Sequence, residues 1–479
     1  MRTAIIGAGL AGLAAACDAA DAGCSVTLLE KRPWAGGKTY SFADEETGVQ
    51  IDNGQHIAMR CTTAYASFLE RIGSAHLMRW QRRMRVPVLD ANGRRSDLAA
   101  SSLPAPLHVA ASFAMYRHVS LGDKLRIARA IVAMRRLRAD SAAALDAISF
   151  GDWLRAHGQN ARTIAGFWDL IIVPALNCRC DDASAAQALF VFREGFLKSA
   201  EAGAVGLPRV GLTELHIDPA VRYIEARGGD LRTGASVASI DIEQGRIESL
   251  VLASGERIIA DAYIAALPPK QLLALLPAPV REVEPFASLA AIRTSPIVNL
   301  HLWFERPITS GSQPIIDVDF AAITGNDLQW VFAPDRVTRT EDEASPRSSS
   351  YSEPRTEHLV ISLSAADRYM PLDKRALIEL LLPQLHRALP RSASRAIVRS
   401  ALIKEPEATF VPAPGLRRPG AETKIPNLFL AGAYTDTGWP ATMESAIRSG
   451  HTAATSALAH IHSQDATSAA DDRELQAVT

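Results

Sequence analysis

Residues 3–6 form a short, largely apolar run that ends against Gly7, Gly9 and Gly12, and a second run fills residues 25–29. Between them, residues 13–22 are rich in alanine. This pattern predicts a strand, a tight turn, a helix and a second strand. Helical spacing returns at 107–138, through Val109, Phe113 and Met115, then Leu125, Ile127, Ile131, Val132 and Met134 after a turn near 120–123. Further helices are expected over 149–200, where Trp153, Phe167, Trp168, Phe192 and Phe196 supply core material. Residues 228–242, 246–252 and 256–262 then read as short strands, and 261–266 as another, stopped by Pro268 and Pro269. Residues 296–304, 329–332 and 358–364 read as strands of a second sheet. Residues 337–356 lack periodicity and are expected to form a mobile loop, and 463–479 a disordered tail. Near the far end, 426–432 predicts a strand and 441–450 a helix.

The three glycines have separate tasks in a dinucleotide fold. Gly7 permits the turn, Gly9 lets the backbone approach a pyrophosphate, and Gly12 lets helix pack on strand, with the helix N-terminus facing the phosphates. Glu30 closes the second strand about 20 residues on, where a ribose hydroxyl needs an acceptor. A glycine-rich turn in another α/β unit would not account for Glu30.

The chain has 479 residues, long enough for two domains, with 48% hydrophobic and 22% charged residues. A formal net charge of -1 gives no reason to expect nucleic acid as a partner. Five cysteines without a CxxC pair point to a reducing cytoplasm. The Cys178 and Cys180 pair has too few neighbouring ligand types for a metal site. No apolar run reaches transmembrane length. Arg117, Lys124, Arg126, Arg129, Arg135 and Arg136 crowd the apolar positions of 107–138. That segment reads either as an ordinary domain helix pair or as a basic amphipathic surface on the inner face of a membrane.

Directly after Glu30, Lys31 and Arg32 precede Gly36, Gly37 and Lys38, placing a glycine pair and cations along a long cofactor. With Glu30 this turn resembles the flavin amine oxidase and carotenoid desaturase superfamily, whose corresponding segments hold FAD. The 426–432 strand and the helix from Ala441 resemble the unit that closes the flavin site. The resemblance therefore implies an α/β fold: a discontinuous, Rossmann-like FAD-binding domain (1–90, 207–285, 420–462) with an inserted α+β substrate domain (91–206, 286–419). It implies cofactor contacts by Gly7, Ala8, Gly9, Leu10, Ala11, Gly12, Glu30, Lys31, Arg32, Gly36, Gly37, Lys38, Gly54, Gln55, His56, Val237, Gly432, Ala433, Thr442 and Met443. Ala433 stands where the family usually has Asp.

Asp52-Asn53-Gly54-Gln55-His56, Phe167-Trp168-Asp169, Leu207-Pro208-Arg209-Val210-Gly211 and Asp436-Thr437-Gly438-Trp439-Pro440 sharpen the resemblance. This set is similar to the hydroxysqualene dehydroxylases, from residue 1 to about residue 455. The resemblance implies reduction of hydroxysqualene, a polyprenoid, to squalene with loss of the hydroxyl as water. Such a reaction needs an acid near the hydroxyl. His56 is the leading candidate, followed by Asp52 and Asp436; the bland alternatives are a hydrogen bond to flavin and fixed turns. Competing functions are a carotenoid-type desaturase, a flavin amine oxidase and a non-enzymatic flavin-binding partner protein. No second glycine fingerprint identifies the electron donor, so a separate reductase or exchanged reduced flavin is expected.

Overall fold

In the computed structural model, which describes residues 1–45, 48–137, 142–306, 313–338 and 356–477, the opening strand Arg2–Ile6 is the centre of a five-stranded parallel sheet. Ser25–Leu29 and Ala262–Ala265 flank it, with Asp230–Arg232 and Leu428–Leu430 at the edges. Parallel strands covered on both faces need apolar side chains throughout. Residues 262–265 are all buried, as are Ala4, Ile5 and Ile6. Segments from both ends and the middle of the chain build this one sheet, as a discontinuous cofactor domain requires.

The helix Leu10–Asp21 covers the sheet and is crossed by the C-terminal helix Met443–Ala477. The crossing is at Gly450, where a Cβ would lie 2.3 Å from the carbonyl oxygen of Ala11 and 2.9 Å from the Cβ of Ala14. Alanines in the first helix allow this approach. The second helix also corrects the expected disordered tail from residue 463, because it continues to Ala477. Residues 463–477 contain no glycine or proline, so polar composition alone does not stop a helix already propagating.

A second sheet of seven strands runs in the order Ile397–Phe410, Thr294–Glu305, Thr356–Ser364, Trp330–Phe332, Phe320–Thr324, Arg85–Asp90, Arg95–Ala99. One face is sealed by Leu377, Leu381 and Leu385 of the helix Lys374–Ala388, packed on Leu300, Leu302 and Ile361. The opposite face turns toward the cofactor domain. Because Arg85–Asp90 pairs with Phe320–Thr324, the substrate domain starts near residue 85, and the expected boundary at 90/91 is corrected. That partner is distant in sequence and leaves no local signal.

Helices Leu121–Arg135, Phe150–Ala156, Asp169–Leu176 and Ala185–Phe192 surround buried Phe150, Trp153, Phe167, Trp168 and Phe192. The Ser120 hydroxyl caps the first of them by accepting from the Asp123 N–H at 3.1 Å. The expected pair of helical segments over 107–138 is present as Ala110–Met115 and Leu121–Arg135; residue 138 lies outside the described residues. Of the loop expected over 337–356, residues 339–355 also lie outside them. Among the described residues, no helix is long and apolar enough to cross a membrane.

Candidate functional site

The glycine turn has the geometry its spacing predicts. Gly7 has φ +102°, and a Cβ on Gly12 would fall 1.9 Å from the Gly7 carbonyl oxygen, so neither position accepts a side chain. Gly9 caps the first helix without any side-chain hydrogen bond, and no acid occupies the first turn. The helix therefore presents open N–H groups and its positive end to an anion. Gly37, at φ +60°, faces Gly9 closely enough that a Cβ would lie 3.0 Å from the Gly9 Cα.

Glu30 is buried and accepts from the Ala8 and Arg32 N–H groups, both at 3.0 Å. Arg32 donates to the Gly37 carbonyl at 3.1 Å, which ties the glycine pair to the end of the strand. Backbone donors without side chains between them, an open helix N-terminus and a fixed carboxylate fit a dinucleotide diphosphate and its ribose. These residues fit FAD. Lys31 is exposed, while Val237 is buried at the start of the strand Val237–Glu243.

From this end the chain passes to the domain interface. Lys38 donates to the backbone carbonyls of Glu407 and Ala408, the latter at 3.2 Å, and burial pushes its ammonium pKa down. Asn53 donates to the Lys38 carbonyl at 3.2 Å and to Glu405 at 3.4 Å. Gly54 then meets Asn299 of the second sheet: a Cβ would stand 3.2 Å from the Asn299 Nδ2. The segment carrying Asp52 to His56 is thus clamped between the two sheets.

A cavity of about 190 Å³ opens beside it, lined by Asp52, Gln55, His56, Gly211, His301 and His358 among others. The Asp52 Oδ1 accepts from the Ser41 hydroxyl at 2.7 Å and the Leu212 N–H at 3.0 Å. Burial outweighs those bonds and raises the Asp52 pKa, favouring the protonated carboxyl. His56 behaves oppositely. Burial lowers its pKa, although the Gly54 carbonyl lies 2.8 Å from Nδ1. With Nδ1–H donating to that carbonyl, Nε2 is an acceptor. Behind them His216 bridges Thr39 and Tyr65, and burial drives its pKa down to about 3.

Asp52 and His56 are brought together; Asp436 is not in this cavity. Its side chain is 63% exposed and pairs with Arg418 at 3.3 Å, a turn-fixing contact. The closing unit is built around Gly432, whose N–H donates to Ser449 at 2.8 Å. The Ala433 carbonyl accepts from Ser445 at 3.1 Å, and the Thr442 hydroxyl accepts from the Ser445 N–H at 3.2 Å at the start of the Met443–Ala477 helix. Glu444, next to Met443, is fully buried and accepts from the Ala64 and Tyr65 N–H groups at 3.0 and 2.8 Å. It caps the neighbouring helix Thr63–Arg71 across the fold.

Sequence reasoning missed Asn299, His301 and His358. The available signal was two polar residues spaced by two inside the apolar strand Thr294–Glu305, which alternation alone assigns to one face.

The chain matches the family model described as flavin containing amine oxidoreductase over residues 10–458. It is 29% identical to a hydroxysqualene dehydroxylase of Rhodopseudomonas palustris, across 95% of this chain and 98% of that one. It is 28% identical to a probable zeta-carotene desaturase of Synechococcus elongatus, across 96% and 98%. Among solved structures, an oxidoreductase from Methanosarcina mazei superposes with a TM-score of 0.72 at 19% identity, covering 94% of this chain and 99% of that one. The last comparison bears on the fold alone.

Proposed function

This chain belongs to the flavin-containing amine oxidoreductases and is an FAD-dependent oxidoreductase, and from that premise we propose that it reduces hydroxysqualene to squalene. The observation that carries the proposal is Asp52, a carboxyl that lines the cavity at the domain interface beside His56 and whose pKa burial raises. The likeness to hydroxysqualene dehydroxylases over nearly the whole chain supports it. In this reading Asp52, held by Ser41 and Leu212 through Oδ1, carries its proton on Oδ2 and gives it to the substrate hydroxyl. The C–O bond breaks and water leaves. FAD, when bound and reduced, supplies the hydride that replaces the hydroxyl. Neutral His56 orients the departing hydroxyl or water through Nε2. The electrostatics thus favour Asp52 over His56 as the acid, and Asp436 as a structural residue.

A second reading, oxidative desaturation of a carotene-like hydrocarbon, is favoured by the nearly equal identity to the carotene desaturase. There, neutral His56 would accept a proton. Anaerobic incubation of reduced, FAD-loaded protein with hydroxysqualene, followed by product analysis, separates the two. Squalene is expected; its absence refutes the proposal.

The same reading places a lipid surface at the substrate domain. Leu121, Leu125 and Val132 fall on one stripe of the helix Leu121–Arg135, opposite buried Ile127, Ala130 and Met134. Leu121 is 75% exposed, Leu125 67%, and nearby Met115 70%. Exposed Arg129, Arg135 and Arg136 flank the stripe. Apolar side chains below and guanidinium groups beside them suit an anionic bilayer interface.

A further inference from the structure

Along Thr294–Glu305, Val298, Leu300, Leu302 and Phe304 enter the core beneath the sheet, so Asn299, His301 and Trp303 share the opposite face. His301 is fully buried and lines the cavity that holds Asp52 and His56. Its Nδ1 shares a hydrogen bond with Nε2 of His358 at 3.1 Å, while its own Nε2 has no partner. The His358 ring is stacked on Trp303 with centroids 4.2 Å apart and planes 7° from parallel. The backbone N–H of His358 donates to the Asp335 carboxylate at 3.0 Å. Both imidazoles are therefore locked in place. Two residues before His301, Asn299 is also fully buried, with both amide atoms unpartnered.

Buried polar atoms without partners are rare in folded proteins because each forfeits its bonds to water. His301 carries one such atom and lines the cavity, so a ligand bound there can supply the missing bond. We propose that His301 is the specificity-determining residue that recognises a hydroxyl group on the substrate, with His358 as its positioning residue. Burial keeps His301 neutral, with a pKa pushed down to about 4, so it acts as a hydrogen-bonding imidazole rather than a cation. Whichever ring supplies the shared proton, the outer Nε2 is left to donate to, or accept from, an alcohol. A hydrocarbon in the cavity would leave that nitrogen unpaired. Sites built to bond a hydroxyl reject analogues lacking it by roughly 10⁴- to 10⁵-fold when every bond is lost. One imidazole should carry at least about tenfold of such a preference.

This inference rests on the reading of the substrate as a hydroxylated polyprenoid, and its test uses binding rather than turnover. The FAD-loaded protein is titrated with farnesol and with farnesene, following the flavin absorbance. The wild type is expected to bind the alcohol at least about tenfold more tightly. His301→Leu should erase that preference, His301→Gln should keep part of it, and His358→Phe should weaken it, while FAD content and Tm report folding. A wild type with no preference, or His301→Leu with the preference intact, overturns the inference. If His301→Leu fails to fold, loss of the preference in His301→Asn with retention in His301→Gln supports it, and equal preference in all three proteins overturns it. A preference for the alcohol in a protein that converts no hydroxysqualene supports the role of His301 and overturns the substrate assignment instead.

Discussion

Replacing Glu444 with alanine tests how the closing helix is anchored. The carboxylate is fully buried, accepts from two backbone N–H groups in the first turn of Thr63–Arg71, and is paired with Arg448 at 2.7 Å. Alanine leaves the two N–H groups without an acceptor and Arg448 without a partner. Hydrogen bonds to a charged group contribute about 1.5–3 kcal/mol each, and a carboxylate at a helix N-terminus adds about 0.3–2 kcal/mol. These contributions overlap, because one group makes them all. The measured cost of removing one partner of a buried pair, about 3–5 kcal/mol, is the better guide. Arg448 is about one-third exposed, which places the expected loss toward about 3 kcal/mol. Glu444 also fixes the start of the helix at Met443, so FAD affinity should fall along with stability. Thermal unfolding with and without added FAD, together with FAD titration, measures both. Glu444→Gln keeps one acceptor oxygen and should lose less. An alanine variant with unchanged Tm and FAD affinity would refute the anchoring argument.

Four further outcomes follow from the same structure. Asp52→Asn should lower kcat by about 10²- to 10⁴-fold while FAD remains bound, as judged by turnover and the flavin spectrum. If Asp52 is the acid, wild-type activity should fall as pH rises through its raised pKa. Because its folded-state value exceeds the unfolded one, its stabilising contribution is full below the ordinary carboxylate range and lost above the raised value. A flat pH profile through that window contradicts the assignment. Gly450→Ala drives a methyl into the Ala11 carbonyl and should cost about 1–3 kcal/mol in chemical denaturation. Leu121→Glu with Leu125→Glu should abolish co-sedimentation with vesicles containing phosphatidylglycerol and leave Tm unchanged; undiminished binding removes the lipid surface.

The parts of the site legible in the sequence are those set by local spacing. Gly7, Gly9, Gly12 and Glu30 lie within one strand-turn-helix-strand unit, so their separation carries their geometry. The discontinuous sheet was legible only by adding the resemblance at residues 426–450, since nothing local links them to residue 2. His301 and His358 lie 57 residues apart and meet through antiparallel pairing of Thr294–Glu305 with Thr356–Ser364. No periodicity reports such a partner. The ranking of His56 above Asp52 rested on its place after Gly54 in a loop that the resemblance sets beside the cofactor, whereas their opposite pKa shifts arise from burial between two sheets. The capping role of Glu444 required the helix beginning at Thr63, which sequence distance hides.

The most direct test is a single-turnover experiment in both redox directions without oxygen. Protein carrying reduced FAD is mixed with hydroxysqualene, and protein carrying oxidised FAD with zeta-carotene, while the flavin spectrum and products are followed. The account predicts that hydroxysqualene reoxidises the flavin with one squalene formed per flavin, and that zeta-carotene leaves it oxidised. Bleaching of the oxidised flavin by zeta-carotene, with no squalene in the other arm, would contradict it.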